Sequence, residues 1–234
     1  MMGRYSLDAP GLVYAHSGGE GFDTCRYVCF PADADGIVPV MEEDWFPDDA
    51  SARFLEFLDV VWSPETREEN LAFVVACLKP KRGETSLQTL RRYMATSFFK
   101  EHHLKIYKQR PIYWLFSSGK ERAFQCLVYL HRYSEDTLAR MRAMYVTPLQ
   151  SRYQARAAYL ESELDAAASG AAQKKLHKEL DALVRKQAEL AAYDEKLRHL
   201  ADSRIPLDLD AGVKLNYAKF PGLLAEAEKV TGEK

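Results

Sequence analysis

Cys25 and Cys29 stand four residues apart, a spacing at which two thiolates can form half of a zinc site, but no His or Cys pair elsewhere supplies the other half. The four cysteines, Cys25, Cys29, Cys77 and Cys126, sit among apolar neighbours, which suits buried thiols in a reducing cytosol. His102 and His103 are adjacent, so on a helix they diverge by about 100° and cannot face one metal ion; they read as surface or edge residues. Asp208 and Asp210 share a face if their segment is a strand, and nearby Lys214 and Lys219 favour ion pairing over metal binding. Gly18, Gly19 and Gly21 follow an apolar run as a nucleotide or cofactor loop does. Another apolar run follows, instead of the helix whose free amides such a loop needs, so a hairpin turn is expected. Ser117-Ser118-Gly119-Lys120 resembles the end of a phosphate-binding loop, but Glu121 replaces the magnesium-binding hydroxyl and the upstream glycine is missing. No serine or cysteine nucleophile has a recognisable His/Asp pattern, so no catalytic, cofactor-binding or metal-binding residue is assigned.

Charge gives a clearer signal. The 234 residues carry a net charge of −2, but residues 1 to 78 hold 4 Lys/Arg against 15 Asp/Glu. Residues 79 to 160 hold 16 against 5, and the remainder 12 against 14. A basic middle third suits an anionic partner, polynucleotide above all; the alternative is that the acidic and basic thirds pair with each other. Arg91, Arg92, Lys100, Lys105, Lys108, Arg110, Lys120 and Arg122 are the candidate DNA contacts, able to neutralise phosphates without reading sequence. Tyr113, Trp114 and Phe116 lie in a continuous apolar run and are expected in the core rather than stacked on bases.

The elements that must position these residues are α+β and mainly helical. Short strands are expected over 12–15 and 27–30, with a helix capped near Asp48, Asp49 and Ser51, a second over 65–78 and a third over 86–107. In the third, Leu87, Leu90, Met94 and Phe98 form the apolar stripe, and Arg92 and Lys100 project from the far side. Apolar runs 112–116 and 124–130 predict an antiparallel hairpin with Lys120 and Arg122 at its tip. Ser134 is placed to cap a helix carrying Leu138 and Met141, and Thr147-Pro148 to open the next. Leucine seams on either side of Ala168-Ser169-Gly170, the second running through Leu176, Leu183, Leu190 and Leu197, predict a long antiparallel helical hairpin. The expected organisation is a mixed α+β domain over 1–133, the coiled-coil-like hairpin over 134–203, and an extended tail with a short helix over 204–234 that adds a strand or docks on the core. With 47% apolar residues but no run of the length a membrane span needs, the chain is expected in the cytoplasm, with no membrane partner.

The segments MMGRYSLD (1–8), GLVYAHSG (11–18), FPADADGIVP (30–39), RPIYWLFSSGKERAFQCLVYLHRY (110–133), DTLARMR (136–142) and LDLDAGVKLNYAKF (207–220) resemble the C-terminal end of the PglX family. These are adenine-specific DNA methyltransferases of BREX type 1 phage-defence systems. The resemblance implies a much longer protein that uses S-adenosylmethionine and acts beside other BREX components. The family's glycine-containing cofactor motif and Asn-Pro-Pro-Tyr type tetrapeptide are missing here, since Asn216 is followed by Tyr217. The family's usual Asp-Asp-Gly is Asp210-Ala211-Gly212, which puts a paired-acid role in doubt. The opening Met1-Met2 reads as a fragment or truncated frame, and the chain alone is not expected to be an enzyme or to hold the cofactor. Two functions are expected of such a region. One is weak, salt-dependent engagement of double-stranded DNA; the other is docking onto the rest of the methyltransferase or another defence component without touching DNA.

Overall fold

The computed structural model describes residue 30 and residues 35–107, 110–167 and 169–232. The expected strands before Phe30, the glycine loop at 18–21, Cys25, Cys29 and Lys108 lie outside them. The fold is α+β and mainly helical, divided into two compact units at Ser97/Phe98.

The first unit contains a short strand, β1 (Ile37–Pro39), and three helices, α1 (Ala50–Val61), α2 (Arg67–Ala76) and α3 (Ser86–Tyr93). The Asp49 side chain caps α1 by accepting the Ala52 amide at 2.7 Å. Pro64–Thr66 forms a 3₁₀ turn leading into α2, and Arg67 pairs with Asp59. A reciprocal capping box of Thr85 and Gln88 opens α3. Leu58, Leu71, Val75 and Leu90 are buried together with Phe54, Leu55, Leu78, Leu87 and Met94 packed around them. Each such leucine contributes about 2 kcal/mol by leaving water.

From Met94 to His103 the helix runs with π-type turns, and α4 (Leu104–Ile106) ends it. A π-type turn takes more residues than an α turn, so the side chains that face inward through it depart from an α-helical stripe. Phe99, His103 and Leu104 are buried there, while Phe98 is half-buried.

In the second unit, β2 (Tyr113–Ser117) and β3 (Gln125–Tyr129) pair antiparallel, with Trp114 opposite Val128 and Phe116 opposite Cys126. Trp114, Leu115, Phe116 and Ser117 are all buried, which a continuous apolar run requires. The tail lies along β2: Ser117 donates to the Leu223 carbonyl, and Ala225 to that of Leu115, both at 2.9 Å. Phe220 meets Trp114 and Phe116 edge-on.

The helical hairpin consists of α5 (Thr137–Met141), a π-type turn over Arg142–Val146, α6 (Thr147–Ala166) and α7 (Gly170–Asp202). One start signal acts differently from expectation. Ser134 is no cap: its amide donates to Thr137 Oγ1 at 2.8 Å, and Asp136 holds the N-cap position. Thr147-Pro148 does open α6, with Pro148 in its first turn, and the wide turn over Arg142–Val146 leads into it from α5. Ser169 does cap α7, accepting from Ala172 at 3.2 Å.

Leu149, Tyr153 and Leu160 of α6 are buried, as are Leu183, Leu190, Tyr193 and Leu197 of α7. Arg142 pairs with Asp194, and Arg156 with Glu179, so one chain position rises as the other falls and the helices are antiparallel. The tail departs from a strand at Asp208. There Asp208 Oδ1 accepts the Asp210 and Ala211 amides, opening a 3₁₀ turn (Leu209–Ala211) ahead of α8 (Val213–Tyr217) and α9 (Ala227–Thr231). The two aspartates therefore do not alternate on one face, and Lys219 donates to the Pro206 carbonyl at 2.8 Å.

Candidate nucleic-acid interface

Within the first unit, both candidate arginines are turned to structural use. Arg91 is buried, with a guanidinium nitrogen 2.8 Å from Asp44 and 3.4 Å from the α1 cap Asp49. Burial raises the Asp49 pKa above the ordinary value, against the opposing pull of the Ala52 amide and the Arg91 charge. Arg92 grips Glu84 with two nitrogens, at 2.7 and 2.9 Å, and reaches the Lys79 carbonyl at 3.2 Å. The Arg92 hydrogen bonds, helped by the Lys81 amide and the Thr89 hydroxyl, bring the Glu84 pKa down to about 2. Pairing between the acidic and basic thirds, the alternative reading of the charge pattern, is thus realised at Arg91.

The candidates of the second unit divide. Lys100 lies 2.6 Å from Glu226, which Lys229 also reaches at 2.9 Å. Burial alone would raise the Glu226 pKa, but the two lysines together carry it below the ordinary value. Arg122 is half-buried with a left-handed backbone, φ 49°. Lys105, Arg110 and Lys120 are exposed and make no ion pair among the described residues. Arg110 also borders an open depression whose other walls include Leu209, Val213, Lys214 and Val230.

The hairpin tip is built around a group that sequence reasoning missed. Glu189, from the middle of α7, places its carboxylate inside the Ser117–Ala123 loop. Ser118 Oγ donates to it at 2.6 Å, the Glu121 amide at 2.7 Å and the Ala123 amide at 3.2 Å. Ser118 Oγ in turn accepts the Phe124 amide at 2.9 Å, and the Tyr153 hydroxyl donates to the Ala123 carbonyl at 2.7 Å. Gly119, at φ +141°, leaves the room this requires, for a Cβ there would stand 3.0 Å from Glu189 Oε2. The loop that begins with Ser117-Ser118-Gly119-Lys120 does enclose an anion, through the Ser118 hydroxyl and the Glu121 and Ala123 amides, but the anion is the protein's own. The local signal was the glycine and serine pair; the partner lies about 70 residues away on a helix face that looks solvated.

His103 is a second departure from expectation. It is buried rather than at an edge, and its Nε2 accepts the Tyr113 amide at 3.2 Å. Phe99, Tyr107 and Tyr113 surround the ring. Burial lowers its pKa, and the His102 charge acts in the same direction. His102 stacks on Phe98 and is exposed. Among the described residues no cluster of three or more His, Cys, Asp or Glu is arranged to hold a metal, and no helix is long and apolar enough to cross a membrane.

No family model matches the chain. Two proteins do. The adenine-specific methyltransferase BrxX of Escherichia coli O9:H4 (strain HS) is 54% identical over 240 residues, covering 99% of this chain and 20% of that protein. The adenine-specific methyltransferase PglX of Lacticaseibacillus casei (strain Zhang) is 40% identical over 221 residues, covering 94% of this chain and 18% of that protein. The chain spans about a fifth of the length of these relatives. Identity at this level, sustained along nearly all of the sequence, matches the chain to one region of the PglX and BrxX adenine-specific methyltransferases.

Proposed function

We propose that this chain is the non-catalytic C-terminal region of an adenine-specific DNA methyltransferase of a BREX-type phage-defence system, and that it helps to hold double-stranded DNA. The observation that carries the reading is the exposure of Lys105, Arg110 and Lys120 in one unit, without ion-pair partners among the described residues. Cations of this kind displace counterions from duplex phosphates and give affinity that falls steeply with salt. Arg91, Arg92 and Lys100, each held by a carboxylate, have their charge already answered and serve the fold. On this reading, S-adenosylmethionine, the flipped adenine and the methyl transfer belong to the remaining four-fifths of the protein. The Ser117–Ala123 loop does not fit a nucleotide, because Glu189 already takes its Ser118 hydroxyl and its Glu121 and Ala123 amides. The rest of the methyltransferase and other defence components in the cytoplasm are the further partners.

The test is a mobility-shift titration of duplex DNA with the chain and with a Lys105→Ala, Arg110→Ala, Lys120→Ala triple variant, at low and raised salt. Salt-sensitive binding that the triple variant loses is the expected result; unchanged affinity in that variant overturns the reading. A docking role without DNA has its own support in Met144, Tyr159 and Val184, which stand 56, 53 and 51% exposed in the second unit. Absence of DNA binding, combined with co-elution of the chain and the separately produced remainder of the methyltransferase, would favour that role.

A further inference from the structure

The Glu189 cradle has more in it than a satisfied loop. Three donors from one hairpin tip converge on a carboxylate from a helix 66 to 71 residues away. Beside the cradle, Arg185, one turn earlier on α7 and 59% exposed, lies 3.5 Å from Glu121 of the same tip. Lys120 stands between Gly119, against which Glu189 packs, and Glu121, whose amide Glu189 accepts. Its backbone is therefore held on both sides while its side chain is exposed. An isolated tip of this length would leave Lys120 free to wander, and the entropy of fixing it would weaken any contact it made. Instead the loop is ordered before a partner arrives, and a helix cation that the charge pattern of the middle third did not include is brought to the same place.

We propose that Glu189 is a positioning residue for a phosphate-contacting surface formed by Lys120 of the hairpin tip and Arg185 of α7. This rests on the DNA reading above and names the surface within it. The carboxylate touches no phosphate; it fixes the tip so that two cations from distant parts of the chain act together. Arg185 leaves Glu121 for a phosphate oxygen at little cost, because an exposed pair at 3.5 Å contributes little on its own.

The experiment is a fluorescence-anisotropy titration of a duplex with the 234-residue chain and its K120A, R185A, E189A, K120A/E189A and G119A variants, each across a range of salt. Melting temperatures are recorded in parallel. K120A and R185A should each weaken binding and flatten the log affinity against log salt plot by about 0.9. E189A should weaken binding by the same factor as K120A, and the double variant no further, since a lysine that is no longer positioned has nothing left to lose. G119A, which disturbs the cradle while leaving every charge in place, should reproduce the loss. Losses from E189A and K120A that multiply in the double variant, or an E189A variant that binds as the parent does, overturn the inference and leave the DNA reading standing. If E189A does not fold, unweakened binding by a folded G119A variant overturns it equally. A parent chain with no salt-dependent binding overturns the DNA reading and this inference with it.

Discussion

In the first unit a cation is inside and carboxylates gather around it: Arg91 is buried, Asp49 beside it is buried, and only Asp44 reaches solvent. At the hairpin tip of the second unit the arrangement is reversed, with the Glu189 carboxylate enclosed by amides and Lys120 left outside. Both belong to a stretch whose sequence is simply basic. The difference lies in what each element offers. A helix interior has no spare backbone acceptors, so a cation taken inside at α3 needs counter-charges. A tight loop has donors to spare and can take a carboxylate without any cation.

The largest effect that could break this comparison is at Arg91. Arg91→Ala leaves Asp49 buried without its counter-charge and should cost about 3 kcal/mol in chemical denaturation. Lys120→Ala should stay within about 0.5 kcal/mol, as an exposed side chain does. A paired Arg91→Met, Asp49→Asn variant should recover much of the loss, because it removes both charges while Asn keeps the cap on α1. An Arg91→Ala chain as stable as the parent would mean that the interior of the first unit does not depend on the pair.

Next in size is Gly119→Ala, expected to cost about 2 kcal/mol from left-handed strain combined with the 3.0 Å approach to Glu189. Gly83→Ala is the matched control in the first unit. Its φ is +85° and nothing lies within 4 Å of the added carbon, so only the strain should register, at about 1 kcal/mol. Equal losses at the two glycines would show that Glu189 does not crowd the tip. Smaller still is the contrast between caps. Thr85→Ala breaks a reciprocal capping box and should cost about 1 kcal/mol, whereas Ser169→Ala removes a single exposed hydrogen bond and should cost less.

Much of this was legible in sequence where the signal is periodic or local. The Asp49 cap, the start of α3 at Ser86, the β2–β3 hairpin and the heptad run Leu183, Leu190, Leu197 all depend on residues within a few turns of one another. What escaped depended on register and on distance. The π-type turns over Met94–His103 changed which side chains faced inward, and so carried His103 into the core against its expected edge position. The charge pattern marked a basic segment correctly as a segment. It could not separate Arg91 from Lys120, because their partners, Asp44 and Asp49 for one and none among the described residues for the other, are set by packing. Glu189 was hidden for the same reason: on a helix rich in Glu and Lys, nothing local distinguishes the one carboxylate that a distant loop encloses.

The finest test of the two regions uses protons. His103 in the second unit has its pKa lowered by burial, so the folded state binds a proton less readily than the unfolded chain. Its contribution to stability is complete above about pH 6.5 and is lost as the pH falls from there through the folded value. Chemically, a proton on Nε2 would meet the Tyr113 amide that now donates to it. Glu84 in the first unit is also lowered, to about 2, through Arg92. Its contribution is complete above the ordinary carboxylate value and is lost only as the pH falls through about 2. Acid should therefore loosen the second unit first. Hydrogen exchange followed from pH 7 to pH 5 should show the β2 amides near Tyr113 losing protection while α3 holds, and His103→Gln should remove that early step, since a glutamine carbonyl accepts the amide without titrating. Simultaneous loss in both units, or an early step that survives His103→Gln, would place the acid sensitivity elsewhere. Asp49 acts in the opposite sense, its raised pKa making protonation favour the folded first unit, which widens the expected gap between the two.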